Sequence, residues 1–208
     1  MNKYSIQYSY NSSSTHRLLV KNIEKNKIVL DVGCNEGIIG QLSDKSNKFY
    51  GIDINPLAIE EARKYYEDIL LLDLNKKIEL PWTHKFDLII FADVLEHLYE
   101  PKSIYFYIIN NYLKPDGRII ISLPNIANWK IRGSLLLGRF NYTETGILDK
   151  THLHFFTYQS AKAMFENDRL KTMKILGGSR IFGKIIKIFP FTKGLLAHNI
   201  VLIIQKVK

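Results

Sequence analysis

The sequence predicts an α/β protein: a doubly wound, mainly parallel sheet with helices on both faces. Three observations predict it. Short apolar, β-branched runs alternate with stretches of helical spacing, and that alternation requires crossover connections between parallel strands. Proline, glycine and Asp/Asn signals punctuate the boundaries. The chain of 208 residues, 46% hydrophobic and 24% charged, has ordinary globular composition. That length suits one domain with a full core.

Each element has its own warrant. Residues 27–32 form a short buried-strand pattern that runs into Gly33, and residues 37–42 begin a helix. Residues 48–53 are a second strand. Pro56 suits the first turn of a helix continuing over 57–66. Residues 68–72 and 86–91 are the third and fourth strands. Pro101 opens a helix to about residue 113, and Lys114-Pro-Asp-Gly117 is a turn before a fifth strand at 118–123. Thr157 is an N-cap for a helix to about residue 167. Residues 171–176 and 199–205 are the last strands. Two connections are long, 124–156 and 177–198, and long connections in compact domains tend to carry function. The whole is expected to be one domain over residues 1–208.

Composition excludes several classes. One cysteine, Cys34, rules out an internal disulfide framework and a multi-cysteine zinc site. No apolar run reaches the roughly 18 residues of a membrane span. Residues 1–14 are polar and tyrosine-rich without an apolar signal-peptide core, so a cytoplasmic protein is expected. The tyrosines there, Tyr4, Tyr8 and Tyr10, suit either a lid or a tail. Lysine and arginine number 29 against 20 acidic residues, a net charge of +9. No acidic residue follows Asp168, whereas nine positives do, so the whole net charge resides in that last stretch. Such a field favours acidic partners.

In sheets of this kind ligands bind beyond the carboxyl ends of the strands, where strand order reverses. Asp31-Val-Gly-Cys-Asn-Glu-Gly37 follows the first strand. Gly33 permits a tight turn, Gly37 a close helix start, and Asn35 tolerates a left-handed backbone. The spacing lacks G-x-G-x-x-G, which disfavours a dehydrogenase. Asp53 closes the second strand, where a carboxylate accepts from both hydroxyls of a ribose. Asp73 closes the third, placed to accept from an exocyclic amino group while Leu74 covers a base.

These residues resemble class I S-adenosylmethionine-dependent methyltransferases. The likeness rests on Val29-Leu-Asp-Val-Gly-Cys34 with Gly37, Tyr50-Gly-Ile-Asp53, Asp73-Leu74, residues 86–98 and Leu113-Lys-Pro-Asp-Gly117, in the family's order. It implies a Rossmann-like sheet of about seven strands, the last one antiparallel. It implies S-adenosylmethionine as cofactor, held by Asp31, Gly33, Cys34, Asn35, Gly37, Ile38, Asp53, Ile54, Asp73, Leu74, Ala92, Asp93 and Val94. Asn35-Glu36 departs from the family, which usually has glycine at the first of these positions. Residues 123–129, 137–142 and 146–157 are similar to a bacterial and archaeal subgroup that accompanies glycosyltransferases in surface-glycan assembly. That subgroup is loosely similar to ubiquinone-pathway O-methyltransferases.

A sulfonium is an activated donor, so the protein must orient the acceptor and remove a proton if the nucleophile is a hydroxyl. His152, His97 and His154 are the candidate bases, and the subgroup motif favours His152. No metal is assigned. The ubiquinone-pathway enzymes hold a divalent metal at an acidic-plus-His cluster here, which would be Asp93, Glu96 and His97 if that segment were helical. Trp129, Arg132, Arg139 and Tyr142 in the substrate-covering connection 124–156 suit a phosphorylated or acidic sugar. Residues 179–193, with Lys184 and Lys187 among isoleucines and phenylalanines, suit an anionic membrane surface, a connector or a dimer contact.

The expected function is O-methylation of a sugar, a glycan intermediate or another small molecule. A non-catalytic cofactor-binding module that partners another enzyme is the alternative. A nucleic-acid methyltransferase is disfavoured, because the fourth strand ends in Ala92-Asp-Val-Leu-Glu96 and lacks the Pro-Pro-aromatic signature of amino-directed base methylases.

Overall fold

The computed structural model describes residues 15–76, 78–179 and 181–207. The three N-terminal tyrosines and Arg180 lie outside that set. In chain order the elements are α1 (Thr15–Val20), β1 (Ile28–Val32), α2 (Ile38–Leu42), β2 (Lys48–Asp53), α3 (Pro56–Ala62), β3 (Asp68–Leu71) and β4 (Phe86–Ala92). A single 3-10 turn follows at Leu95–His97, then α4 (Pro101–Tyr112), β5 (Leu113–Pro124), α5 (Trp129–Leu136), α6 (Tyr158–Phe165) and β6 (Leu170–Gly178). The chain closes with α7 (Gly183–Ile188), a 3-10 turn at Pro190–Thr192, α8 (Lys193–Leu196) and β7 (Asn199–Lys206).

The strands form one seven-stranded sheet in the order β3-β2-β1-β4-β5-β7-β6. β7 is antiparallel to both neighbours, and the remaining pairs are parallel. Strand order therefore reverses between β1 and β4, where the expected site lies.

Neighbouring residues of a strand point to opposite faces, so a sheet covered on both sides needs near-continuous apolar runs. Val29 and Leu30 are both fully buried, and they enter different cores. Leu30, Ile89 and Phe91 pack with Tyr105 and Ile108 of α4 and Phe165 of α6. Val29, Leu88 and Ile90 pack with Leu19 of α1, Ile39 of α2 and Ile59 of α3. Each such side chain contributes roughly 1.5–3 kcal/mol by leaving water.

Local signals act as expected at several ends. The Asn55 side chain accepts from the amides of Leu57 and Ala58, with Pro56 at the first helical position. Thr157 accepts from the Ser160 amide in a reciprocal capping box. Two boundaries differ. α3 stops at Ala62, short of Tyr66, because Tyr66 turns inward and donates from its hydroxyl to Asp31 Oδ2 at 2.5 Å. The expected turn at residues 114–117 survives as an excursion inside β5. Pairing passes from Phe86–Leu113 to Leu88–Arg118, and Lys114 Nζ donates to Asp87 Oδ1 at 2.7 Å across it.

Candidate functional site: a glycine turn beside a histidine pair

The turn after β1 has a left-handed backbone at three residues, with φ of 76° at Gly33, 46° at Asn35 and 77° at Gly37. Glycine adopts such values at no steric cost, and asparagine and aspartate do so more readily than other residues. The departure from the family at Asn35 thus keeps the backbone the turn needs. The amides of Gly33 and Cys34 both donate to the Ile52 carbonyl, at 2.8 and 3.0 Å, which binds the turn to the end of β2.

Asp53 is the next support. Oδ2 accepts from the Asn35 amide and Oδ1 from the Asn55 amide, both at 2.8 Å. Each carboxylate oxygen retains further acceptor capacity, and the residue is half-buried. This arrangement fits a ribose whose two hydroxyls donate to one carboxylate. Asp31 is 1% exposed beneath the same turn, and its Oδ1 is a buried acceptor with no hydrogen-bond partner among the described residues. Burial, opposed by the Tyr66 hydrogen bond and assisted by Asp53, raises its pKa to about 7. Burial first, then the charges of Asp31 and Asp53, pushes the Cys34 thiol well up, so Cys34 is packing rather than a nucleophile.

At the end of β3, Asp73 Oδ1 accepts from the Asn75 amide at 3.0 Å while Leu74 is buried. Ile54, just past β2, is 62% exposed and offers an apolar surface at the same rim. Asp93, just past β4, has φ of 51°. Its Oδ1 accepts from Ser122 Oγ at 3.0 Å and Asn199 Nδ2 at 2.9 Å. Val94 leans on the glycine turn: a Cβ at Gly33 would lie 2.8 Å from Val94 Cγ2. The sequence-derived cofactor residues thus gather around one strand-end rim, and their donors and acceptors fit S-adenosylmethionine.

Directly after Val94 the 3-10 turn presents Glu96 and His97. The segment is not an α-helix, and the Asp93 carboxylate is committed to β5 and β7. The acidic-plus-His set that comes together is instead Glu96, His97 and His152, with one ligand atom of each within 4.8 Å of the others. Those donor types are able to hold a divalent cation. The two imidazoles meet edge to face, with centroids 4.7 Å apart. His97 Nδ1 lies 3.2 Å from the Thr151 carbonyl and 3.1 Å from Thr151 Oγ1, which itself donates to Asp149 Oδ1 at 2.7 Å. A carbonyl only accepts, so His97 Nδ1 carries the proton. His152 Nδ1 likewise donates to the Ile147 carbonyl at 3.1 Å, which leaves its Nε2 toward Glu96 Oε1 at 4.0 Å.

Glu96 is fully buried and neither carboxyl oxygen has a hydrogen-bond partner among the described residues. Burial, then the charges of Asp93 and Asp149, holds its carboxyl well above the usual range. Burial and then the neighbouring His152 lower the pKa of His97.

The remaining candidates separate. His154 does not join the pair. Its Nε2 is 3.4 Å from the Tyr99 carbonyl, while the amides of Leu153 and His154 both donate to the Glu96 carbonyl. Tyr142 joins an aromatic group with Phe140 and Phe155, and Phe155 touches His152. Trp129 packs edge-on against Phe182, Arg132 Nε donates to the Ala127 carbonyl at 2.7 Å, and Arg139 is exposed. Asp149 and Thr151 are the supporting residues that sequence reasoning left out, and their signal lay in the 146–157 motif; Glu96 was expected in a set with Asp93 and His97 and instead meets His97 and His152. Two surface hollows of about 320 and 340 Å³ lie elsewhere, the first beside Lys27, Asp87 and Arg118 at the amino ends of the strands, the second beside Asp44, Lys64 and Tyr65.

Comparisons with known proteins agree with this fold. The ubiquinone biosynthesis O-methyltransferase of Glaesserella parasuis is 35% identical over 109 residues, 48% of this chain and 46% of that protein. The chain thus spans less than half the length of the curated relatives it matches. A TehB-like SAM-dependent methyltransferase of Corynebacterium glutamicum superposes with a TM-score of 0.62 at 18% identity, covering 97% of this chain and 90% of that one. The N-methyltransferase NodS of Bradyrhizobium japonicum, solved with S-adenosyl-L-homocysteine, has a TM-score of 0.59 at 14% identity, covering 94% and 89%. These two show the shared fold. The family model described as a methyltransferase domain matches residues 23–167, from the approach to β1 to the end of α6. With that match over most of its length and the strand order in place, the chain belongs to the methyltransferase domain family.

Proposed function

We propose that this protein transfers a methyl group from S-adenosylmethionine to an oxygen of a small hydroxylated acceptor, a sugar or a sugar-bearing intermediate. The observation that carries the reading is the His97–His152 pair, set directly beyond Val94 and therefore beside the donor rim. The sulfonium donor supplies an electrophilic methyl group. The chain's own residues place the acceptor and take its proton. His97 is the base. Its Nδ1–H is fixed by Thr151, burial keeps the ring neutral at physiological pH, and it is more open than His152, which is 8% exposed. The motif-based preference for His152 thus gives way to a positioning role, with that ring held by Ile147 and packed against His97. Phe140, Tyr142 and Phe155 form an apolar wall on which a sugar face can stack. The names of the ubiquinone-pathway relatives support oxygen as the attacked atom.

Calorimetric titration with S-adenosylhomocysteine, with NAD as control, tests the donor site: micromolar binding of the first alone is expected. Methyl transfer to nucleotide sugars and lipid-linked saccharides then tests the acceptor class. Because His97 must be neutral to accept a proton, and its pKa lies below the usual imidazole value, the rate should fall only on the acid side of about pH 6.5. His97→Ala should lower kcat by about 10²–10⁴-fold and abolish that limb. Absence of S-adenosylhomocysteine binding overturns the donor site. An acid limb that persists in His97→Ala overturns the base, and loss of transfer on chelation gives the Glu96–His97–His152 cluster to a cation.

A further inference from the structure

The two long connections leave the carboxyl ends of β5 and β6 and meet where Trp129 packs on Phe182. α5 buries none of its side chains, although it holds tryptophan, isoleucine and leucines. Leu136 and Leu137 at its end are 88% and 70% exposed. In the other connection, Ile186 alone anchors α7 to the body, and Ile188 and Phe191 stand 68% and 83% exposed. The two are joined. Trp129 packs on Phe182, and the side-chain amides of Asn125 and Asn128 donate to the Ala197 carbonyl at 3.0 and 2.9 Å. Large apolar side chains clustered on a surface mark an interaction site.

Charge identifies the occupant. Residues 124–142 and 169–208 contain no aspartate or glutamate. The exposed cations of the patch include Lys184 and Lys187 on α7 and Lys130 and Arg132 on α5. A second copy of this chain would set cation against cation. A nucleic acid would leave the leucines and Phe191 without an apolar partner. An anionic bilayer meets both needs, with phosphates for the lysines and the acyl boundary for Leu136, Leu137, Ile188 and Phe191.

We propose that α5 and residues 181–195 dock on an anionic lipid bilayer. The surface surrounds the ends of β5, β6 and β7, so docking turns the carboxyl end of the sheet toward the lipid and presents its site to a substrate carried there. Docking itself does not rest on the methyl-transfer reading.

The test is co-sedimentation of the whole protein with two kinds of vesicle, one of equal parts phosphatidylglycerol and phosphatidylcholine, the other of phosphatidylcholine alone. Binding to the first should be at least about tenfold stronger and should fall as salt rises from about 0.05 to 0.5 M. K184Q/K187Q should weaken it roughly thirtyfold, at about one factor of five per lysine. L136S/I188S should weaken it comparably without altering the salt dependence. K102Q, on α4, should leave binding unchanged. The four substituted patch residues are exposed, so all variants should keep the wild-type melting temperature and affinity for S-adenosylhomocysteine. That titration separates loss of docking from failure of the donor site. Equal binding to both vesicles, no binding at low salt, indifference to either double variant, or a dimer that both variants dissociate would each overturn the proposal.

Discussion

Alanine at Gly33 is the sharpest test of how the donor rim is assembled. The position is constrained twice. Its φ of +76° is left-handed, and an added Cβ would stand 2.8 Å from Val94 Cγ2 and 2.9 Å from Val94 Cβ. The backbone cost for a residue with a Cβ is about 1–2 kcal/mol. Forcing a methyl into an occupied space costs about 1–3 kcal/mol more. The sum, about 2–5 kcal/mol, should lower the melting temperature by roughly 5–15 °C for a domain of this size. Val94→Gly separates the two parts, because it removes both contacting atoms. In that background Gly33→Ala should retain only the backbone cost. Urea denaturation of wild type, both single variants and the double variant should therefore give a coupling of about 1–3 kcal/mol. A Gly33→Ala cost that is the same in both backgrounds would show that Val94 does not press on the turn, and the link between donor rim and histidine pair would fail with it.

Two further predictions concern the carboxylates beneath the rim. If Asp53 holds the ribose as proposed, Asp53→Ala removes two charge-assisted hydrogen bonds, each worth about 1.5–3 kcal/mol, so S-adenosylhomocysteine should bind at least about a hundredfold more weakly; an affinity within threefold of wild type in calorimetry would count against the assignment. Asp31 has a folded pKa of about 7 against an ordinary 3.8. Between those values the folded chain keeps a proton that the unfolded chain has released. The contribution is complete below pH 4 and lost as pH rises toward 7, with a slope of at most about 1.4 kcal/mol per pH unit. Asp31→Asn should flatten that part of a plot of urea midpoint against pH, and an unchanged slope would refute the shift.

The strands were legible because each is a short apolar run bounded by turn signals, and the candidate donor rim is proposed because Asp31, Gly33, Asp53 and Asp73 fall at successive strand ends. Asn35 was legible too, since its side-chain type matches the left-handed backbone it adopts. What could not be read depended on contacts distant in sequence. Glu96 looks like an acid at a helix start, yet tertiary packing buries it completely, and the amides of Leu153 and His154 fold over its carbonyl. That same strap breaks the extended alternation that would have placed His152 and His154 side by side. α3 ended early for a related reason, since nothing local to Tyr66 says that its hydroxyl will seek Asp31. α5 carries no apolar stripe because it buries no side chain, so periodicity gave no sign of it; only the Asn128 cap, accepting from the Lys130 amide, marks its start.

The family match ends at residue 167, before β6 and β7, so the candidate donor rim lies within the part of the chain shared with other methyltransferases. The acceptor side on our reading is built differently. Asp93 holds Ser122 of β5 and Asn199 of β7 together at the strand ends, and Asn125 and Asn128 secure the start of α5 to the Gly194–Ala197 backbone. The connection that carries the aromatic wall and the connection that carries the lysines are thereby fastened to one antiparallel strand. A change in either connection therefore reaches the other through β7 and the Asn125, Asn128 and Asn199 side chains. Substitutions in residues 181–197 should therefore alter acceptor preference while leaving donor affinity intact, even where they touch no acceptor atom.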